Sequence, residues 1–198
     1  MIPFSFLFLL AVSLAGNVYL AQQFLVSHSK KSQPKHLSQG PVGQHLETLH
    51  LKTVAGDATS VSLSKSRATV VYIFSPKCHW CLLNFANLKT LQSKANGKYD
   101  FLGISVSSED LDKYMNVHPY GFPVYTDATE NDFRTIGFVG TPQTLLVNNG
   151  GVIEKNWIGA YQGAVGESIE QTFSVQLPGV ATQSGFTSSN AMTEGSPK

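Results

Sequence analysis

Beyond Cys78 and Cys81 the chain has no cysteine. A structural zinc ion takes four ligands, so a site built on cysteine alone is excluded. His45 and His50 have ligand-like H-x4-H spacing and leave a Cys2His2 set open, but they lie well upstream, in what reads as a separate hairpin. Solvent-facing strand positions account for both. Covalent haem attachment needs His directly after C-x-x-C, and position 82 is Leu. No charge of one sign dominates: 14 basic against 13 acidic residues give a net charge of +1, which implies no basic surface for nucleic acid. Walker and dinucleotide glycine motifs are missing, and no internal repeat is evident. Neither a metal nor an organic cofactor is required. What remains is 198 residues with an ordinary apolar fraction of 42%, enough for one domain with extensions.

Charge is also missing locally. Residues 2–26 carry no charged side chain, and the first half of that run is strongly apolar. Two readings fit. One is a cleaved signal peptide, with Ser13-Leu14-Ala15 as a small-residue cleavage site before Gly16. The other is an uncleaved anchor, since about 20 residues span a bilayer; the length favours the anchor. The run has no Lys or Arg before it, whereas Lys30, Lys31 and Lys35 follow, and by the positive-inside rule this leans toward a cytoplasmic C-terminal domain. Residues 27–39, rich in Ser, Lys, Gln and His, read as a flexible tether. The folded part is expected over 40–175. From 176 to 198 the chain turns polar and is expected to be a disordered tail.

The two cysteines stand two residues apart in Ser75-Pro76-Lys77-Cys78-His79-Trp80-Cys81. A β-branched and aromatic strand, Thr69-Val70-Val71-Tyr72-Ile73-Phe74, precedes them. Leu82, Phe85, Leu88 and Leu91 follow at helical spacing. The pair therefore sits where a buried strand hands over to a helix, with Cys78 at or near the helix N-terminus. Backbone N–H groups and the helix dipole there favour thiolate over thiol, and Lys77 adds a cation next door. Cys81 lies about one turn on, in reach of Cys78 for a small disulfide. A C-x-x-C beside a β-α pattern reads as a thioredoxin-type redox motif. A purely structural disulfide is the bland alternative, but it would close a very short loop, and short loops gain least from cross-linking.

The remaining elements alternate. The stretch from Leu46 to Val54, the turn at Gly56-Asp57, and Val61 with Leu63 suggest an N-terminal β-hairpin. A second buried strand covers 99–106. Ser107 or Ser108 is positioned to cap the next helix, with Glu109 and Asp110 in its first turn and Pro119 beyond its end. A short extended piece at 122–127, a short helix at 130–136 stopped by Gly137, and a strand at 143–147 after Gly140-Thr141-Pro142 come next. Asn148-Asn149-Gly150-Gly151 is a hairpin turn into 152–158, and 164–173 closes the fold as a helix. Strands alternating with helices, plus a terminal hairpin, predict an α/β three-layer sandwich around a mixed sheet.

In this order the pieces resemble the thioredoxin-like superfamily, closest to the TlpA/ResA-like thiol-disulfide oxidoreductases, over about 40–175. The resemblance implies a protein that exchanges disulfides with protein partners through Cys78 and Cys81. Such proteins are usually exported or membrane-anchored, with the redox domain outside the cytoplasm, and some serve cytochrome c maturation. A membrane-bound partner would recharge the pair. Pro142 matches the superfamily's cis-proline facing the cysteines, and the Thr141 backbone would pair with a substrate polypeptide. Trp80, which replaces the Pro often found before the second cysteine, is an exposed apolar contact for a partner. Two departures stand out. The family often has Glu three residues after its second cysteine and Pro two further on; here these are Asn84 and Ala86. Thioredoxin's buried Asp, six residues before the first cysteine, corresponds to Tyr72. The carboxylate that moves the proton of the buried cysteine is thus missing from both places, leaving His79 and Lys77 to tune ionisation. Two other functions stay open: a tethered binding module with a structural disulfide, and a thiol peroxidase. Against the last, position 71 is Val and position 75 is Ser where P-x-x-x-T-x-x-C has Pro and Thr.

Overall fold

The computed structural model describes residues 42–95 and 97–180. The anchor or signal segment, the tether, the opening Gly40-Pro41 and the chain beyond residue 180 lie outside the described residues. The elements are β1 (Thr48–Thr53), β2 (Ala58–Ser62), β3 (Thr69–Phe74), α1 (His79–Ala95), β4 (Asp100–Ser105), α2 (Leu111–Val117), β5 (Val124–Thr126), α3 (Glu130–Ile136), β6 (Gln143–Val147), β7 (Ile153–Ile158) and α4 (Gly163–Phe173). The strands form one sheet in the order β2-β1-β5-β4-β3-β6-β7. β3 runs parallel to β4 and antiparallel to β6. The expected mixed sheet with hairpins at both ends is what the chain forms. No helix among the described residues is long and apolar enough to cross a membrane.

β3 is central, and all six of its side chains are buried. That is why it reads as a continuous apolar run rather than an alternating one. Val70, Tyr72 and Phe74 pack with Cys81, Leu88 and Leu91 of α1 and with Ile169 and Phe173 of α4. Val71 and Ile73 pack with Leu49 and Leu51 of the first hairpin and Ile136 of α3. Helices thus cover both faces, giving three layers. Each large aliphatic side chain buried this way contributes about 1.5–3 kcal/mol. Gly103 on β4 is needed for the aromatic side: a Cβ there would stand 3.2 Å from the Phe122 ring and 3.4 Å from that of Phe74.

Three local expectations change. The buried face of α1 is Cys81, Asn84, Asn87, Leu88, Leu91 and Ala95, whereas Leu82 is exposed. Apolar spacing alone pointed to Leu82, but the helix turns its two asparagines inward instead. Before α2, neither serine caps the helix. Asp110 occupies the N-cap position in a left-handed conformation without a side-chain cap bond. Ser107 Oγ instead accepts the N–H of Glu109 (3.1 Å), so Glu109 and Asp110 lie ahead of the first turn. Finally, the chain stays packed past residue 175. Val175 and Leu177 rest on the α1/α4 core, and the Leu177 N–H donates to Glu170 Oε1 at 2.7 Å.

Candidate active site

The site begins where β3 ends. The Cys78 N–H donates to the Ser75 carbonyl (3.1 Å), which turns the chain out of the sheet. The Cys78 carbonyl then accepts the N–H groups of Cys81 and Leu82 (3.1 and 3.2 Å), so Cys78 caps α1. Its sulfur acts as the cap's side-chain acceptor: the Cys81 N–H also points to Cys78 Sγ at 3.2 Å. Cys78 Sγ thus sits at the positive end of a helix, where free N–H groups receive negative charge. It is partly exposed, whereas Cys81 is fully buried, and both are free thiols.

A second chain segment closes over the first sulfur. The Thr141-Pro142 peptide is cis, as the resemblance implied. It lies just before β6, whose Gln143 pairs with Ile73 near the end of β3. That register brings the Thr141 carbonyl to 3.4 Å from Cys78 Sγ, where it accepts the thiol proton. The loop is held from below by buried Gln143. Its Nε2 donates to the Gly137 carbonyl (3.3 Å) and to Asn156 Oδ1 (3.0 Å), and its Oε1 accepts the Val139 N–H (3.2 Å). The Pro142 carbonyl accepts from the Gly159 N–H at 2.8 Å.

The other expected residues sit at the rim. Trp80 is 47% exposed, with the His79 ring edge-on to it at 5.8 Å. Among the described residues no hydrogen bond joins His79 to either sulfur. Lys77 turns its ammonium to Glu109 (2.7 Å), so its charge is shared with a carboxylate rather than offered to Cys78 alone. That contact also raises the Lys77 pKa.

Behind the sulfurs the surroundings are apolar and aromatic. Burial pushes the Cys81 thiol well above its ordinary value. Burial likewise pushes Tyr114 up to about 12, and raises Tyr72, Tyr120 and Tyr161. At neutral pH Cys81 is therefore a neutral thiol that resists losing its proton. The arrangement offers one accessible sulfur at a helix N-terminus, a second sulfur behind it, and an open backbone edge at Thr141.

No protein-family model matches the sequence, and no curated protein matches it. Solved structures do match. The thioredoxin domain of a thiol-disulfide oxidoreductase from Bacteroides vulgatus aligns over 67% of this chain and 97% of its own, with 18% identity and a TM-score of 0.53. A thiol:disulfide interchange protein of the thioredoxin family from Chlorobium tepidum aligns over 66% and 95%, with 20% identity and a TM-score of 0.53. StoA from Bacillus subtilis aligns over 64% and 97%, with 16% identity and a TM-score of 0.51. This chain has the thioredoxin-like fold.

Within that fold, spacing found Cys78 and Cys81, and resemblance found Thr141 and Pro142. Neither signal reaches the hydrogen bonds that lie under the pair. Asn84 Oδ1 accepts the Tyr161 N–H (2.8 Å), and Asn87 Nδ2 donates to Asn84 Oδ1 and to the Tyr161 carbonyl (both 3.3 Å). The available signal was Asn at 84 and 87, three apart, in phase with Cys81. A direct consequence of the two sulfurs' placement is selective chemistry. Iodoacetamide at mildly acidic pH should label reduced protein at Cys78 and leave Cys81 unmodified, as peptide mapping by mass spectrometry would read. Preferential labelling of Cys81 would reverse the assignment of roles.

Proposed function

We propose that the protein is a thiol-disulfide oxidoreductase acting on protein partners. One observation carries the reading: the sulfur of the partly exposed Cys78 caps a helix under the Thr141 carbonyl, with a second, buried cysteine one turn behind it. Cys78 thiolate attacks a substrate disulfide; the Cys78–substrate bond forms and the other substrate sulfur leaves with its electron pair. Cys81 then attacks Cys78 Sγ. The Cys78–Cys81 bond forms, the remaining substrate sulfur leaves and takes up a proton, and the substrate is released reduced. Run backward, the same steps oxidise a dithiol. Trp80 gives an apolar contact beside the sulfur, and the Thr141 backbone offers an edge to an extended segment.

The solved neighbours named as thiol:disulfide interchange proteins and oxidoreductases support the same chemistry for this chain. The uncharged run at 2–26 supports a membrane anchor; the family resemblance, against the lean of Lys30, Lys31 and Lys35, supports a domain outside the cytoplasm, recharged by a membrane-bound partner, with cytochrome c maturation as one setting. Insulin reduction with dithiothreitol tests the activity. Wild type should accelerate precipitation of the insulin B chain, and Cys78→Ser should abolish the acceleration. A wild type no faster than dithiothreitol alone, with peroxide consumption also absent, would leave the tethered binding module in its place.

A further inference from the structure

Beside the buried sulfur, three polar atoms lack a hydrogen-bond partner: Tyr72 Oη, Asn84 Nδ2 and Asn87 Oδ1. All three residues are fully enclosed. Leaving a buried polar group unpaired is costly, so such atoms call for an explanation. The orientation of the Asn84 amide is fixed by chemistry. Its Oδ1 faces the Tyr161 N–H, which can only donate, so the free atom must be the NH2. Two of the three orphans are therefore donors, Tyr72 O–H and Asn84 N–H. Cys81 and Asn84 lie one helical turn apart on the inner face of α1. Tyr72 faces them from β3 in the same core. Ionisation of Tyr72 is opposed first by burial and then by negative charge on Cys81, and is favoured by hydrogen bonding from Asn84, so the amide faces the phenol. The contact between amide and phenol is too loose for a closed hydrogen bond, and the phenol O–H has no acceptor.

The resolving step turns the Cys81 sulfur from a weak acceptor into a strong one. For Cys81 to attack Cys78 Sγ its sulfur must carry negative charge, in a place where burial opposes that charge. We propose that the Tyr72 hydroxyl, backed by the Asn84 carboxamide, is the positioning donor that steadies charge on Cys81 as it resolves the mixed disulfide. This deepens the oxidoreductase reading and rests on it. The phenol does not take the proton. Its own ionisation is strongly disfavoured by burial, so it keeps O–H throughout and only donates. The proton from Cys81 ends on the departing substrate sulfur, and the phenol is unchanged at the end of the cycle.

The test uses a small substrate. Reduced full-length protein reacts with glutathione disulfide to form the Cys78–glutathione mixed disulfide, and Cys81 then releases glutathione. Release is followed by rapid quench and mass spectrometry across mildly acidic to mildly alkaline pH. Tyr72→Phe, which removes the hydroxyl and keeps the ring, should slow release about tenfold at neutral pH and move the profile about one pH unit alkaline, the size expected for a lost hydrogen bond to charge. Cys78 alkylation should stay at its wild-type rate, and the melting temperature should not fall, since the hydroxyl removed is an unpaired one. Tyr161→Phe is the control: it removes a buried hydroxyl bonded to Thr144 Oγ1 at 2.9 Å, and should lower the melting temperature while leaving the release profile in place. A wild-type profile for Tyr72→Phe, or an equal shift in Tyr161→Phe, would overturn the proposal. Normal glutathione release with no insulin reduction would instead overturn the protein-substrate reading and leave the role of Tyr72 measured.

Discussion

Cys81→Ser should turn a transient mixed disulfide into a stable, isolable one. Exchange passes through a covalent bond at Cys78, and the only thiol placed to break it from inside is Cys81, whose N–H already points at Cys78 Sγ (3.2 Å). Serine keeps the size and the backbone contacts but supplies no sulfur nucleophile. The intermediate should then persist until external thiol arrives, with turnover falling by several orders of magnitude. Cys78→Ser should trap far less, because the remaining sulfur is fully buried and held as the neutral thiol. The measurement is a non-reducing gel of each variant from its native host, with partners identified after reduction. Partners rich in C-x-x-C-H would point to cytochrome c maturation, and assorted exported proteins to general disulfide handling. Adducts forming equally well in both variants would mean that the two sulfurs are not ranked by access, and the order of attack would have to be abandoned.

How far the sequence leads depends on which forces are local. Strand β3 and the Cys78 cap are local: a β-branched run followed by C-x-x-C at a helix start needs no distant partner to be read. The short helix α3 with Gly137 at its end is also local, since Gly137 adopts the left-handed conformation that glycine permits (φ 63°). The inner face of α1 is not. Apolar spacing favoured Leu82, yet Asn84 and Asn87 are buried because the Tyr161 backbone, 77 and 74 residues away, supplies their partners. A pattern that scores apolarity cannot see a polar side chain whose desolvation is offset across the fold. Lys77 shows a related long-range effect. Adjacency to Cys78 suggested electrostatic help, but Glu109, beyond β4, takes its ammonium. Leu177 stays docked beyond the expected boundary because Glu170, within α4, captures its backbone N–H. Polarity of the following residues says nothing about that contact.

Asp132 makes a hidden contribution of the same kind, and Asp132→Ala should cost about 2–4 kcal/mol. From sequence it is one acidic residue in the first turn of a short helix. In the fold it is almost fully buried. Its carboxylate completes a capping box at the start of α3, accepting the Thr129 N–H (3.3 Å) and Thr129 O–H (2.6 Å), while Thr129 Oγ1 accepts the Asp132 N–H (3.1 Å). The same Oδ2 accepts the His50 backbone N–H at 3.0 Å. That N–H points away from β2, on the side where β5 has already ended at Thr126, so no strand is there to satisfy it. Asp132 therefore ties α3 to the first hairpin. Truncation leaves the Thr129 cap on the residue-132 N–H but removes the carboxylate half of the capping box, worth about 1 kcal/mol, and strands the part-buried His50 N–H, worth about 1–3 kcal/mol. In a domain of this size each kcal/mol moves the melting temperature by about 2–4 °C, so calorimetry should show a fall of roughly 5–15 °C. His50→Ala should change stability by less than about 0.5 kcal/mol. It keeps the backbone N–H and loses only an imidazole that is 62% exposed, 3.5 Å from Asp132. Equal losses in the two variants would assign the effect to the imidazole–carboxylate pair and refute the backbone tie.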